Sequence, residues 1–174
     1  MKITPSQTAR LEFLARVTER ACQHLHDTDS RLFDDLFTVE SAQKIELDPI
    51  LAERLDAFVS RFGRLQDMVG DKLLPALLVA LAEKTGPAID NLDKAEKFGF
   101  IDSAEVWMEL RRLRNQMVHK YIEDLAVLTS ALCSGHAFVP VLVSAARRCV
   151  AEAQRLLAAQ AVQPVRADLP ASKA

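Results

Sequence analysis

Arg114-Asn115-Gln116-Met117-Val118-His119-Lys120-Tyr121 sets a guanidinium, a carboxamide, an imidazole and a phenol within about two helical turns. A guanidinium grips phosphoryl oxygens with a planar two-pronged fork. An imidazole moves protons near neutral pH. The pair suits chemistry on a phosphodiester. Each residue of a helix advances by about 100°, so Arg114, Val118 and Tyr121 fall within about 60° of one another. Asn115, His119 and Ile122 form the neighbouring ridge, where Asn115 can hydrogen-bond the His119 ring and fix its tautomer. Arg114 and His119 lie about 140° apart in projection, a gap the long arginine side chain can cover. Little else in the chain suggests chemistry: there is no Gly-rich phosphate loop, paired-cysteine metal box or Gly-x-Ser-x-Gly elbow. Neither a metal nor a cofactor is expected.

Composition bounds what can position such a segment. The 174 residues suit one domain, large enough to bury about 70% of its unfolded surface. Only five glycines, few aromatics and abundant Ala and Leu favour helix throughout. A net charge of −2 makes global attraction to nucleic acid improbable, so any such contact must come from a local patch. Cys22, Cys133 and Cys149 are odd in number and unpaired in spacing, which predicts free thiols in a reducing compartment. The longest uninterrupted apolar run, over 73–82, is too short to span a bilayer, so no membrane partner is expected and the chain reads as cytoplasmic.

The apolar spacing predicts an all-α, up-and-down bundle of four principal helices plus short ones. A first helix over 4–26 opens on a capping box, Thr4 with Gln7, and Pro5 at its first position. Asp27-Thr28-Asp29-Ser30 is expected to end it, and 31–46 to form a short irregular connection with room for a helical turn. Asp48-Pro49 starts a second long helix to 84, bent or broken near Gly70 and Pro75. Thr85-Gly86-Pro87 ends it. A short helix over 88–97 stops at Gly99. Asp102 or Ser103 then caps a long helix to 132, Ser134-Gly135-His136 makes a turn, and a last helix covers 138–159 with Pro140 in its first turn. In domain terms, 1–46 is an N-terminal part of the same domain, 47–160 the bundle core, and 161–174 a flexible tail.

Arg114-Asn115-x-x-x-His119-x-Tyr121 resembles the signature of the HEPN superfamily, and in this full form it is similar to the HepT-like toxins. The run Phe58-Val59-Ser60-Arg61-Phe62-Gly63-Arg64-Leu65-Gln66-Asp67 and onward to Leu74 also resembles a long helix of those proteins, as does the Gly99-Phe100-Ile101-Asp102 lead-in. The likeness covers 47–157. It implies a HEPN-like fold and a homodimer with its active cleft between protomers. It further implies metal-independent endoribonuclease activity that leaves a 2′,3′-cyclic phosphate. In that reading Arg114 and His119 are catalytic, and Asn115 and Tyr121 support them. The RNA substrate would be a tRNA or an mRNA. The partner would be an antitoxin minimal nucleotidyltransferase, as in type VII-like toxin–antitoxin pairs, which silences the toxin by transferring AMP to the hydroxyl of Tyr121. The alternative is a non-catalytic HEPN subunit that binds nucleotide or substrate for such a nucleotidyltransferase.

Around the motif, Arg111, Arg112 and Lys120 are candidates for RNA phosphates. Arg147, Arg148 and Arg155 read instead as solvated charges on the last helix. Trp107, at helical spacing from Leu110 and Arg114, reads as packing. His24 and His26 face opposite sides and are expected in surface or capping roles, and His136 in a loop or capping a helix start. Asp67 and Asp71 share a helix face and are expected as exposed charge or, if that face lines the cleft, as a carboxylate that steers Arg114 or His119.

Overall fold

Helix starts in this chain are written into the side chains that cap them. In the computed structural model, which describes residues 3–119 and 124–161 (of His119, the backbone only), α1 spans Pro5–Leu32. Thr4 accepts from the Gln7 amide while Gln7 returns the bond to the Thr4 amide, so the capping box forms as the sequence predicts. The helix then runs one and a half turns past the expected end. Thr28 and Ser30 donate to the carbonyls of His24 and His26, and Leu32 is buried in the core. The polar cluster therefore bonds back along the helix and does not break it.

Between α1 and the next long helix lie α2 (Val39–Gln43), capped by Thr38, and a 3₁₀ turn at Lys44–Glu46. Asp48 caps α3 (Pro49–Asp67), accepting from the amides of Ile50 and Leu51 at 3.0 Å. The expected bend is a π-helical turn at Met68–Leu73, continued by α4 (Leu74–Ala80). Pro75 sits in the first turn of α4, where its missing amide and bulky ring oppose an ordinary α-helical path from Asp71. One extra residue in the turn relieves that conflict. Ala82 adopts a left-handed conformation (φ 66°), and the amides of Ala82 and Glu83 bond back to Val79 and Leu78. This closes the helix at 80, not at 84.

After α5 (Ala88–Lys97), Gly99 at φ 73° turns the chain into α6 (Ala104–His119), where Ser103 accepts from the amides of Glu105 and Val106. Here the sequence reading needs correction. The helix expected to reach 132 is interrupted at Asp124: α6 is described over Ala104–His119, and α7 spans Leu125–Ala161 with Asp124 as its cap. Ser134-Gly135-His136 is not a turn but lies inside α7, and Pro140 is far from its first turn. Gly135 is there for space: a Cβ would stand 3.1 Å from the Met117 sulfur and 3.4 Å from the Phe58 ring. His136 stacks on Phe33 and meets the Asp29 carboxylate at 2.7 Å.

Hydrogen bonds fix the topology. Thr8 to Gln160 and Asp29 to His136 set α1 antiparallel to α7. Arg61 to Thr28 and Arg54 to Arg31 set α3 antiparallel to α1. Arg114 to Asp67 and Arg111 to Asp71 do the same for α6 against α3 and the π turn. Each principal helix thus packs against its sequence neighbours, and α7 returns to α1: an up-and-down four-helix bundle, with no strand among the described residues. Phe58, Phe62, Leu65, Leu110, Leu132 and Leu142 are fully buried at its centre. By length and composition α7 is apolar enough to cross a membrane. In this fold its Leu128, Leu132, Val139, Leu142 and Cys149 are buried in the common core.

Candidate functional site

The Arg114 side chain leaves α6 toward α3 and passes over Gly63. A Cβ at position 63 would stand 2.9 Å from Nε of Arg114 and 3.4 Å from its Cγ. Any residue but glycine would press on the guanidinium stem. One turn further along α3, Asp67 receives Nη2 of Arg114 at 3.4 Å, with both side chains about 40% exposed. An ion pair this open is weak as a stabilising contact. Its consequence is orientation: the ion pair sets the guanidinium against the groove wall, and hydrogen-bond partners for its other N–H groups are absent among the described residues. A further turn on, Arg111 pairs with Asp71. The two carboxylates, expected by default as exposed charge, are therefore a ladder facing the arginines of α6, and Asp67 takes the alternative place beside Arg114.

Arg114 lines an open groove of about 770 Å³ between α3 and α6. Its walls carry Val59, Met68, Met117 and Val118, and its polar groups are Asp56, Ser60, Arg64, Asp67, Lys72 and Arg114. The pairing of Arg114 with Val118 on one face follows the helical projection. Asn115 is exposed and does not line the groove. Arg112 lies on another flank, with Glu109, Gln116 and Ser134 between α6 and α7. Lys120 and Tyr121 lie outside the described residues, as does the side chain of His119. The tail after 161 lies outside them too.

The remaining sequence candidates have structural work. Trp107 is 2% exposed and packs its indole against Gly70, where a Cβ would stand 3.1 Å from Nε1. Arg147 pairs with Glu19, Arg148 with Asp102, and Arg155 with Glu152 at 2.6 Å. Burial pushes the Cys22 thiol up to about 11 and the Cys149 thiol up to about 12, so neither is a nucleophile at neutral pH. No cluster of three potential metal ligands occurs among the described residues.

Sequence reasoning missed Gly63, Arg64 and Lys72. A glycine in mid-helix, one turn from an acid and beside a basic residue, is the signal that could have found the first two. Lys72 had none, because its approach to the groove depends on the π turn. These features define an all-α bundle with a basic groove beside the Arg-Asn-x-x-x-His-x-Tyr segment. No family model, curated protein or solved structure matches this chain.

Proposed function

We propose that the chain is a HepT-like HEPN ribonuclease toxin, acting on RNA without a metal. The observation that carries this reading is Arg114: a guanidinium held at the wall of a groove that also carries Arg64 and Lys72, on the helix that includes Asn115 and His119. In the reaction the His119 imidazole takes the proton from a ribose 2′-hydroxyl. The 2′-oxygen attacks the adjacent phosphorus and the bond to the 5′-oxygen breaks, leaving a 2′,3′-cyclic phosphate and a protonated 5′-hydroxyl. Arg114 stabilises the charge that builds on the phosphoryl oxygens. DNA lacks the attacking hydroxyl and is spared.

Two copies of the chain would form the working enzyme, with the groove facing the partner protomer. Val118, 50% exposed beside Arg114, suits such a covered position. Regulation falls to a minimal nucleotidyltransferase that places AMP on Tyr121, adding negative charge beside the cleft. The chain and its RNA would meet in the cytoplasm.

The test is cleavage of RNA by the purified protein, with 2′,3′-cyclic phosphate ends analysed on the products. Wild-type should cut, and His119→Ala and Arg114→Ala should not, while all three give the same helical circular dichroism. Cleavage at wild-type rates by His119→Ala would sink the assignment. Bound nucleotide with intact RNA would instead favour the non-catalytic subunit.

A further inference from the structure

Three cations reach into the groove between α3 and α6, and only one of them belongs to the motif. Arg64 and Lys72 come from α3 and the π turn, on the wall opposite Arg114. Both are exposed, and neither has a carboxylate partner among the described residues. Other arginines, Arg10, Arg20 and Arg112 among them, likewise have no carboxylate partner among the described residues, so what sets Arg64 and Lys72 apart is their place in the groove with Arg114. Two carboxylates also line the groove. Asp67 is occupied by Arg114, and Asp56 lies two helical turns from Arg64, away from Lys72. The stretch from Arg64 and Arg114 to Lys72 is thus a basic track with one end closed by an acid.

We infer that Arg64 and Lys72 hold backbone phosphates next to the one at Arg114, and that the groove takes single-stranded RNA. The two residues are eight apart, under about 12 Å along the axis, since part of the span is the π turn, which rises less per residue than the 1.5 Å of an α-helix. Arg114 passes over Gly63 and ends at Asp67, so it is level with Arg64 while Lys72 lies further along. A strand of duplex carries a phosphate every ~3.4 Å of axis, so the span accommodates the phosphate at Arg114 and Arg64 and its neighbours toward Lys72. Val59, Met68 and Val118 offer the bases an apolar wall, which favours splayed single-stranded bases over the closed edges of an A-form helix. The sequence candidates Arg111 and Arg112 contribute less: one is engaged by Asp71 and the other faces α7. The inference rests on the reading of Arg114 as a phosphate ligand, and it concerns binding, so it is separable from catalysis.

The experiment measures fluorescence anisotropy of a short labelled 2′-O-methyl oligoribonucleotide, which cannot be cut through its 2′-oxygen, against the full chain over a range of salt. Each phosphate contact on a single strand contributes about 0.7 to the slope of log affinity against log salt. Arg64→Gln with Lys72→Gln should therefore lower that slope by roughly 1.4, and weaken binding at low salt by ten-fold or more. Lys72→Glu alone should weaken it further than Lys72→Gln. Arg112→Gln should leave both quantities unchanged. An unchanged slope in the double variant overturns the inference, as does an equal loss in Arg112→Gln or an absence of binding by the wild-type protein. Displacement by ATP with the same dependence on Arg64 and Lys72 overturns it too, because the groove would then be a mononucleotide site. RNA binding that behaves as expected, without cleavage, leaves the track standing and removes the nuclease. Cleavage with an unchanged KM in the double variant does the reverse.

Discussion

Gly63 and Arg114 stand in van der Waals contact across the α3–α6 interface, close enough that a single methyl group at 63 would lie 2.9 Å from Nε. Glycine in a helix interior costs about 1 kcal/mol relative to alanine, so the position gives up helix stability for room. The room is filled by the one arginine that the motif requires.

Gly63→Ala should therefore separate stability from activity. Helix propensity gains up to about 1 kcal/mol, offset by displacement of the arginine stem, so the melting temperature should move only a few degrees. RNA cleavage should fall at least ten-fold, because the guanidinium leaves its place beside Asp67. Unimpaired cleavage in a folded Gly63→Ala protein would show that the close approach has no bearing on the site.

Removing the reacting groups themselves should be more severe. Arg114→Ala should lower the cleavage rate by about two to three orders of magnitude, and His119→Ala by a factor between 10² and 10⁴. Arg114→Lys should recover little, since a point charge does not reproduce the fork. Single-turnover rates on one labelled RNA give all three values.

Trp107 is the only tryptophan and is buried against Gly70, so the native protein should fluoresce to the blue of free tryptophan and shift red on unfolding. Its indole N–H has no hydrogen-bond partner among the described residues. Trp107→Ala should cost about 3–5 kcal/mol in denaturant unfolding. Trp107→Phe should cost distinctly less, because it keeps most of the apolar contact and removes an unsatisfied donor. Equal losses would mean that the N–H is satisfied after all.

Ala82 holds a left-handed conformation at the end of α4, a position that glycine occupies without strain. Ala82→Gly should stabilise the fold by roughly 0.5–1 kcal/mol, a gain partly offset by the added freedom of the unfolded chain. Destabilisation on chemical unfolding would contradict the φ value.

The thiols give a pH dependence with a definite sign. Burial raises Cys22 to about 11 and Cys149 to about 12, both from an ordinary value of 9.0. Above pH 9 the unfolded chain loses these protons while the folded chain keeps them, so stability should fall as pH rises from about 9 toward 11. Cys22→Ala and Cys149→Ala should each flatten that decline. At neutral pH a thiol reagent should modify only half-buried Cys133 in the native protein, and all three cysteines after unfolding.

Most of the bundle was legible because apolar spacing and caps act locally. Thr4, Asp48 and Ser103 all start helices where their hydroxyls or carboxylates predict. The failures share one cause: residues that look like punctuation serve tertiary packing. Thr28 and Ser30 bond back to their own helix, and Asp29 meets His136 from α7. Gly135 admits Met117 and Phe58. His136, Met117 and Phe58 are distant in sequence from the residues they meet. The Thr28 and Ser30 bonds four residues back form because burial of Leu32 carries the helix on, so a local reading took them as breaks. The candidate site divides the same way. Arg114 stood out by its neighbours along the chain, whereas Gly63, Arg64 and Lys72 acquire meaning only once α3 lies against α6.

The π turn at Met68–Leu73 makes this chain length-sensitive in an unusual place. A helix that holds one surplus residue in a widened turn keeps the segments on either side in phase, so losing that residue would make the helix regular with little rotation downstream. Deleting Gly70 would leave Asp67 beside Arg114 but return the Pro75 ring to the Asp71 carbonyl, the conflict that the wide turn relieves. A shortened chain would therefore be tolerated here only together with replacement of Pro75, which ties the length of one helix to the identity of one residue.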